Sequence, residues 1–240
     1  MQSRNAGRPS SIDTRRTYIA HRLLLLFRMS HIHASNSLVD LYERMLLEIL
    51  QPIVPVSMQS FVTKYNIPNR MWGNAFYHCL EVLRRGGHKS PLALEHMHEF
   101  IIYGYGFYQA LYERSSHESS LWAAYKGFWL EALGDLAQYR MAISQRLVHS
   151  FGPSAPLTAD NLPISIPRID DTPPPSIGLE AARLFDLEPE REIWRKNART
   201  WYASALKDVP GTGRLLHHLG LLCREVPDEE LRGVFHFVKR

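Results

Sequence analysis

The sequence predicts an all-α protein, and three observations support this prediction. Apolar residues recur at spacings of three and four along most of the 240 residues, no segment alternates as a strand would, and turn residues separate the apolar stretches. Hydrophobic residues make up 45% of the chain and charged residues 22%, as in ordinary folded domains. These proportions exclude a disordered tail, a collagen-like repeat and a disulfide-rich scaffold.

Helix boundaries follow from capping and terminating residues. A first helix is predicted over residues 37–50, with Ser35 or Asn36 as its N-cap and Pro52 and Pro55 beyond its end. Gly86-Gly87 would end a second helix, and Ser90-Pro91 would begin a third one. The helices predicted after the first one cover residues 70–84, a stretch from residue 91, residues 121–148, 178–186, 189–207, 213–224 and a stretch from residue 228.

Two segments depart from the helical pattern. Residues 1–34 are predicted to be a basic, partly disordered leader. Seven of the 15 prolines fall within residues 151–175, so helix is excluded there. We predict a Pro-rich loop or linker over residues 151–177, with a proline-motif ligand as the alternative.

The positive charge of the chain is concentrated at its beginning. Residues 1–33 hold six arginines and one acidic residue, which gives +5, whereas the whole chain carries +4. Such a segment can steer a protein toward RNA or single-stranded DNA, or it can be an ordinary solvated helix face. The candidate nucleic-acid-binding residues are Arg15, Arg16, Arg22, Arg28, Arg85 and Lys89.

Cysteine usage and hydropathy indicate where the protein works. Cys79 and Cys223 lie far apart and outside any CxxC motif, which fits a reducing compartment and argues against structural zinc. The longest apolar run, residues 23–27, is far shorter than the roughly 20 residues that span a bilayer. With no cleaved signal apparent, we expect the nucleus, the cytoplasm or both, and no membrane partner.

Motifs of catalysis are absent from the sequence. It contains no GxSxG, no HExxH, no P-loop and no strand-linked GxGxxG, so we expect neither an enzyme nor a cofactor. Glu131 and Asp135 share a helix face without an evident catalytic partner, and Gly104 and Gly106 are expected to allow close packing. Metal binding is not expected from three histidine pairs whose spacing points to different helix faces: His31 and His33, His96 and His98, and His217 and His218.

Residues 194–223 predict two antiparallel helices packed as in a tetratricopeptide unit. Pro210 separates the two helices. Large and small residues alternate on the face of the first helix, and a leucine stripe on the second one matches them: Trp194, Ala198, Trp201, Tyr202 and Ala205, then Leu215, Leu219 and Leu222. A single unit cannot bury its own face, so it must stack on preceding helices in a right-handed array.

Several stretches carry a family resemblance. Residues 129–143 read WLEALGDLAQYRMAI, and residues 194–223 read WRKNARTWYASALKDVPGTGRLLHHLGLLC. They resemble the "ever shorter telomeres" (Est) subunit of telomerase and the SMG factors of nonsense-mediated mRNA decay. The signatures LGDLxRYR, WYxxA and PxxGRLxHHLxxL of the fungal branch fit best. Residues 71–84 (MWGNAFYHCLEVLR) and 94–101 (LEHMHEFI) are similar to earlier helices of that family.

The resemblance implies a fold and a role. It implies a 14-3-3-like helical region over residues 35–150, then tetratricopeptide-like helices over residues 178–240. The role is that of a non-catalytic adapter for a protein partner of the mRNA-decay or telomerase machinery. The family often carries a DNA/RNA-binding label, so nucleic-acid binding stays the alternative. The last predicted helix stops without a cap, as in a truncated array.

The resemblance also indicates a phosphopeptide pocket. Phosphoserine-binding members use a basic residue after the Ala-Phe of MWxxAF and the Arg-Tyr of LGDxxRY. Here Tyr77 replaces the first cation and Gln138 the second, while Tyr139 remains. Arg84, two turns beyond Tyr77, and Arg140 are the neighbouring cations. Each lost charge-assisted bond would cost about 1.5–3 kcal/mol, so we expect a weakened pocket.

Overall fold

A computed structural model of the chain describes residues 11–87, 90–117, 120–151, 187–224 and 226–239. Side chains are described within residues 29–87, 90–116, 121–144, 190–224 and 226–239. Every regular element in these ranges is a helix, which confirms the all-α prediction. The predicted helix over residues 178–186 lies outside the described residues, as does the predicted Pro-rich loop except for residue 151, which is helical.

Ten α-helices and one π-turn form the described array. The π-turn, Trp72–Tyr77, joins α3 to α4 and makes Ile67–Gly86 nearly one helix. The bounds are α1 Ser11–Ile49, α2 Val56–Lys64, α3 Ile67–Met71, α4 His78–Gly86, α5 Pro91–His117, α6 Ser120–Ala123, α7 Lys126–Phe151, α8 Leu187–Asp208, α9 Gly213–Leu221 and α10 Glu230–Lys239. Among the described residues, no helix has both the length and the hydrophobicity needed to cross a bilayer.

The predicted N-cap of the first helix is wrong. Helix α1 begins at Ser11, so residue 34, our predicted boundary, lies inside it. Ser35 is buried, and its side chain hydrogen-bonds the Cys79 thiol instead of capping α1. Ser37 Oγ donates to the His33 carbonyl oxygen at 3.0 Å, a bond that a serine makes inside a helix.

Two further boundaries differ from the prediction. Helix α2 was not predicted. The single helix predicted over residues 121–148 is broken into α6 and α7 by a turn near Tyr125. This turn lets the Tyr125 hydroxyl approach α2, where it lies 2.9 Å from Thr63 Oγ1. The tertiary contact accounts for a break that the apolar periodicity does not reveal.

Aromatic rings fill the core between the π-turn, α5 and α7. The Phe76 ring is fully buried, and its centroid lies 4.9 Å from that of Tyr108 and 6.1 Å from that of Trp72. A Cβ atom at Gly104 would lie 3.0 Å from Phe76 Cε1, so the predicted close packing at this glycine is confirmed. The same prediction is wrong for Gly106, whose Cβ position has no neighbour within 4 Å.

A second core joins α8 and α9 to α7. Its members match the predicted large-and-small face and leucine stripe, together with two residues of α7: Leu130, Ala137, Ala198, Tyr202, Ala205, Leu215, Leu219 and Leu222. The fully buried Tyr202 ring crosses α7 at Gly134, where a Cβ atom would lie 2.4 Å from Tyr202 Cε1. The expectation that the two C-terminal helices stack on preceding helices is therefore confirmed.

We expect Gly134→Ala to destabilise the protein by about 1–3 kcal/mol, because the added methyl group would force α7 and α8 apart at a buried ring. Gly106→Ala is the matched control, since this helical glycine faces open space. The control should be neutral or more stable by about 0.5–1 kcal/mol. Urea denaturation of both variants measures the difference, and equal stabilities would contradict the close approach.

Candidate functional site

Three of the five predicted pocket residues surround the carboxylate of Glu81. Arg84 Nε and Nη2 donate to Glu81 Oε1 and Oε2 at 2.8 and 2.7 Å, and the Tyr139 hydroxyl donates to Oε1 at 3.0 Å. Tyr77 is 49% exposed and close enough to affect the pKa of both Arg84 and Tyr139. A paired guanidinium with a hydroxyl donor is an arrangement that binds carboxylate or phosphate.

The geometry of the site follows from helix periodicity and one crossing helix. Tyr77, Glu81 and Arg84 follow one another at spacings of four and three, so they lie on one face of the helix that continues into α4. Tyr139 reaches that face from α7. Our sequence analysis missed Glu81, although its spacing to Arg84 is typical of an ion pair within a helix.

Electrostatics keep Glu81 ionised and Tyr139 protonated. The hydrogen bonds from Arg84 lower the pKa of Glu81 and outweigh its partial burial, with smaller contributions from Tyr139 and Arg85. Burial raises the pKa of Tyr139, and the neighbouring carboxylate raises it further. The site at neutral pH is therefore a carboxylate held by one guanidinium and one hydroxyl group.

The structure separates Arg140 from this site. Arg140 is 9% exposed, forms an ion pair with Glu190 of α8 and lies 5.8 Å from the ring centroid of Trp194. Its guanidinium therefore joins α7 to α8, which corrects its prediction as a pocket residue. Gln138 is half-buried on α7 between these two environments.

The candidate nucleic-acid-binding residues are only partly described. Arg15, Arg16, Arg22 and Arg28 lie in α1, and their side chains lie outside those described. Lys89 also lies outside the described residues. The Arg85 side chain is 78% exposed, with Nε 3.8 Å from Glu81 Oε2.

Glu131 and Asp135 have partners that the sequence analysis did not anticipate. Arg214 Nε lies 2.5 Å from Glu131 Oε1, and the Tyr202 hydroxyl donates to Asp135 Oδ1 at 2.5 Å. His218 Nε2 lies 3.9 Å from the same Asp135 oxygen. These four charged or titratable side chains line one cavity of about 220 Å³ with Trp72 and Phe128.

The pKa values of this cluster are set mainly by burial. Burial raises the pKa of Asp135 to about 6, although the Tyr202 hydroxyl and Arg214 oppose the shift. Burial also lowers the pKa of His218. Among the residues that the structure describes, no group of three His, Cys, Asp or Glu side chains is arranged to hold a metal ion.

We expect Asp135→Asn to change how stability depends on pH. A folded-state pKa of about 6, above the model value of 3.8, means that the native chain loses stability as pH rises between these values. The variant lacks this loss and keeps an oxygen that accepts from Tyr202. Relative to the native chain it should gain up to about 3 kcal/mol between pH 4 and pH 7.

Glu81→Gln is the control of opposite sign for that measurement. The lowered pKa of Glu81 stabilises the fold above its unfolded-state pKa and is lost as pH falls through the folded-state value. This variant should therefore be destabilised at pH 7 and approach the native stability in acid. Urea denaturation between pH 4 and pH 7 measures both, and parallel pH profiles for Asp135→Asn and the native chain would contradict the burial of Asp135.

Comparison with known proteins gives no independent assignment. Neither known protein families, nor curated proteins, nor solved structures contain a match to this chain. The Est/SMG resemblance therefore depends on the motifs quoted above, and the functional conclusion depends on them together with the contacts around Glu81.

Proposed function

We propose that this protein is a non-catalytic helical adapter of the Est/SMG type. It binds a protein partner of the mRNA-decay or telomerase machinery, in the nucleus, the cytoplasm or both. The single observation that carries the proposal is the donor set around Glu81. The resemblance assigns phosphate binding to this helix face, and a guanidinium and a tyrosine hydroxyl there hold an anion.

The same contacts support a weakened phosphopeptide pocket. A phosphoserine carries nearly two negative charges and would need the donors that Arg84 and Tyr139 give to Glu81. To bind there, it has to displace or approach a carboxylate whose pKa is already lowered. Like charges repel, so Glu81 acts as an internal competitor for the ligand.

The test titrates a fluorescent phosphoserine peptide, and its unphosphorylated form, into the native chain and two variants. In Glu81→Gln the competing charge is removed while the side-chain size is kept, so phosphopeptide affinity should rise about tenfold or more. The Tyr77→Lys, Gln138→Arg variant restores the family cations and should strengthen binding similarly. Both gains should depend on the phosphate group.

Glu95→Gln is the matched control, because it removes an exposed carboxylate from α5. This variant should bind the phosphopeptide as the native chain does. Equal affinity for phosphorylated and plain peptide in every variant would contradict a phosphate site at Glu81. Tight binding by the native chain would contradict the competition by Glu81.

Nucleic-acid binding is the alternative, and the continuity of α1 favours it. Four candidate arginines, at positions 15, 16, 22 and 28, are carried by one uninterrupted helix that reaches Ile49. A helix of this kind presents cations at fixed spacing to a phosphate backbone.

For this alternative, replacing the four arginines of α1 with glutamine should lower the affinity for single-stranded RNA or DNA. Each lost phosphate contact should also flatten the slope of log affinity against log salt by about 0.7 for single strands. Fluorescence anisotropy between 50 and about 300 mM salt measures both. An unchanged slope in the variant would contradict binding through α1.

A further inference from the structure

A basic groove lies between the last three described helices. It encloses a cavity of about 470 Å³ among α8, α9 and α10, a size common for binding sites in proteins. The residues that define it are Arg199, Leu206, Lys207, Leu219, Arg232 and His236. None of them belongs to the Glu81 site, which α4 and α7 form.

The groove combines an apolar floor with cationic rims. Leu219 is buried and Leu206 is half-buried, and both pack in the second core. Lys207 on α8 is exposed, and so is Arg232 on α10, whose side chain is 59% accessible. A ligand lying along the groove would therefore meet apolar surface below and positive charge on both sides.

One carboxylate contacts the cations of the groove. Arg199 Nη1 donates to Glu229 Oε1 at 2.8 Å, and Arg232 Nη1 donates to the same oxygen at 3.3 Å. Arg199 Nη2 also donates to the Leu222 carbonyl oxygen at 3.0 Å, which fixes this guanidinium between α8 and α9. With Lys207 counted, three permanent cations face one carboxylate, and the groove keeps an excess of positive charge.

The surrounding charges reinforce this excess. The pKa of His236 is lowered first by burial, then by Arg232, Arg199 and Lys239, so the last turn of α10 adds a further cation. Arg199 Nε and His236 Nδ1 are buried and make no hydrogen bond among the described residues. Such nitrogen atoms leave polar capacity unused beside the groove.

We propose that this groove binds an acidic, amphipathic peptide segment of a protein partner. Carboxylates of the segment would pair with Lys207 and Arg232, and its apolar side chains would contact Leu206 and Leu219. Charge complementarity selects the acidic component, and the apolar floor selects a peptide over a nucleic acid, because the lining lacks the large aromatic rings on which bases stack. The inference adds a partner chemistry to the adapter proposal and uses none of its phosphate-site residues.

The test measures fluorescence anisotropy of the whole chain with three labelled peptides. The first peptide alternates Glu and Leu residues in amphipathic order, the second has Gln for every Glu, and the third has Ser for every Leu. The first should bind, and both altered peptides should bind at least tenfold more weakly. Its affinity should also fall as salt rises, because exposed charges are screened.

Variants then locate the binding surface. Lys207→Glu and Arg232→Gln should each weaken binding of the Glu/Leu peptide, by about tenfold for the charge reversal. Arg44→Glu is the matched control on the exposed surface of α1 and should leave binding unchanged. A Lys/Leu peptide should bind Lys207→Glu more tightly than the native chain, which distinguishes a local charge effect from misfolding.

Several outcomes would overturn the inference. Equal binding of the Glu/Leu and Glu/Ser peptides would show that the apolar floor plays no part. Equal losses in Lys207→Glu and Arg44→Glu would show attraction to the overall charge and not to the groove. A single-stranded RNA oligomer that binds with the same variant sensitivity, and that the peptide does not displace, would assign the groove to nucleic acid. Failure of phosphopeptide binding at Glu81 affects none of these results.

Discussion

The close approach of α7 and α8 at Gly134 determines where the polar groups of the C-terminal half meet. The absence of a side chain there lets the Tyr202 ring lie directly against the α7 backbone. Its hydroxyl then reaches Asp135, one residue further along α7. The same pairing brings Arg140 to Glu190, and Trp201 Nε1 to within 2.6 Å of the Tyr105 hydroxyl oxygen on α5. One small residue thus connects the two cores.

Against this scaffold, α4 presents a site whose anion is supplied by the protein itself. A guanidinium left alone at a half-buried surface would seek a counter-charge, and Glu81 meets that need from the preceding turn. This arrangement stabilises the helix face and lowers its attraction for an external anion. An adapter with such a site discriminates among ligands through the strength of the anion that can replace the carboxylate.

The sequence was sufficient for the helices and insufficient for their contacts. Apolar spacing identified the helical class and the face of α8, because both depend on residues three and four apart. Ser35 misled the boundary of α1, since the same residue type caps a helix or bonds inside a tertiary contact. Glu81 and Arg84 show a local spacing that could have been recognised, whereas Tyr139 lies 58 residues from Glu81 and its approach depends on how α7 crosses α4. His218 and Asp135 likewise meet only through the fold.

The π-turn over Trp72–Tyr77 has a consequence for how this region can evolve. A π-helical turn contains one residue more than an α-helical turn, so α3 and α4 share an axis but differ in phase. Losing one residue there would restore α-helical bonding and rotate everything that follows by about 100° relative to α3. Glu81 and Arg84 would then leave the surface that Tyr139 approaches. The register of the anion site is thus encoded in the length of this short segment as much as in the identity of its side chains.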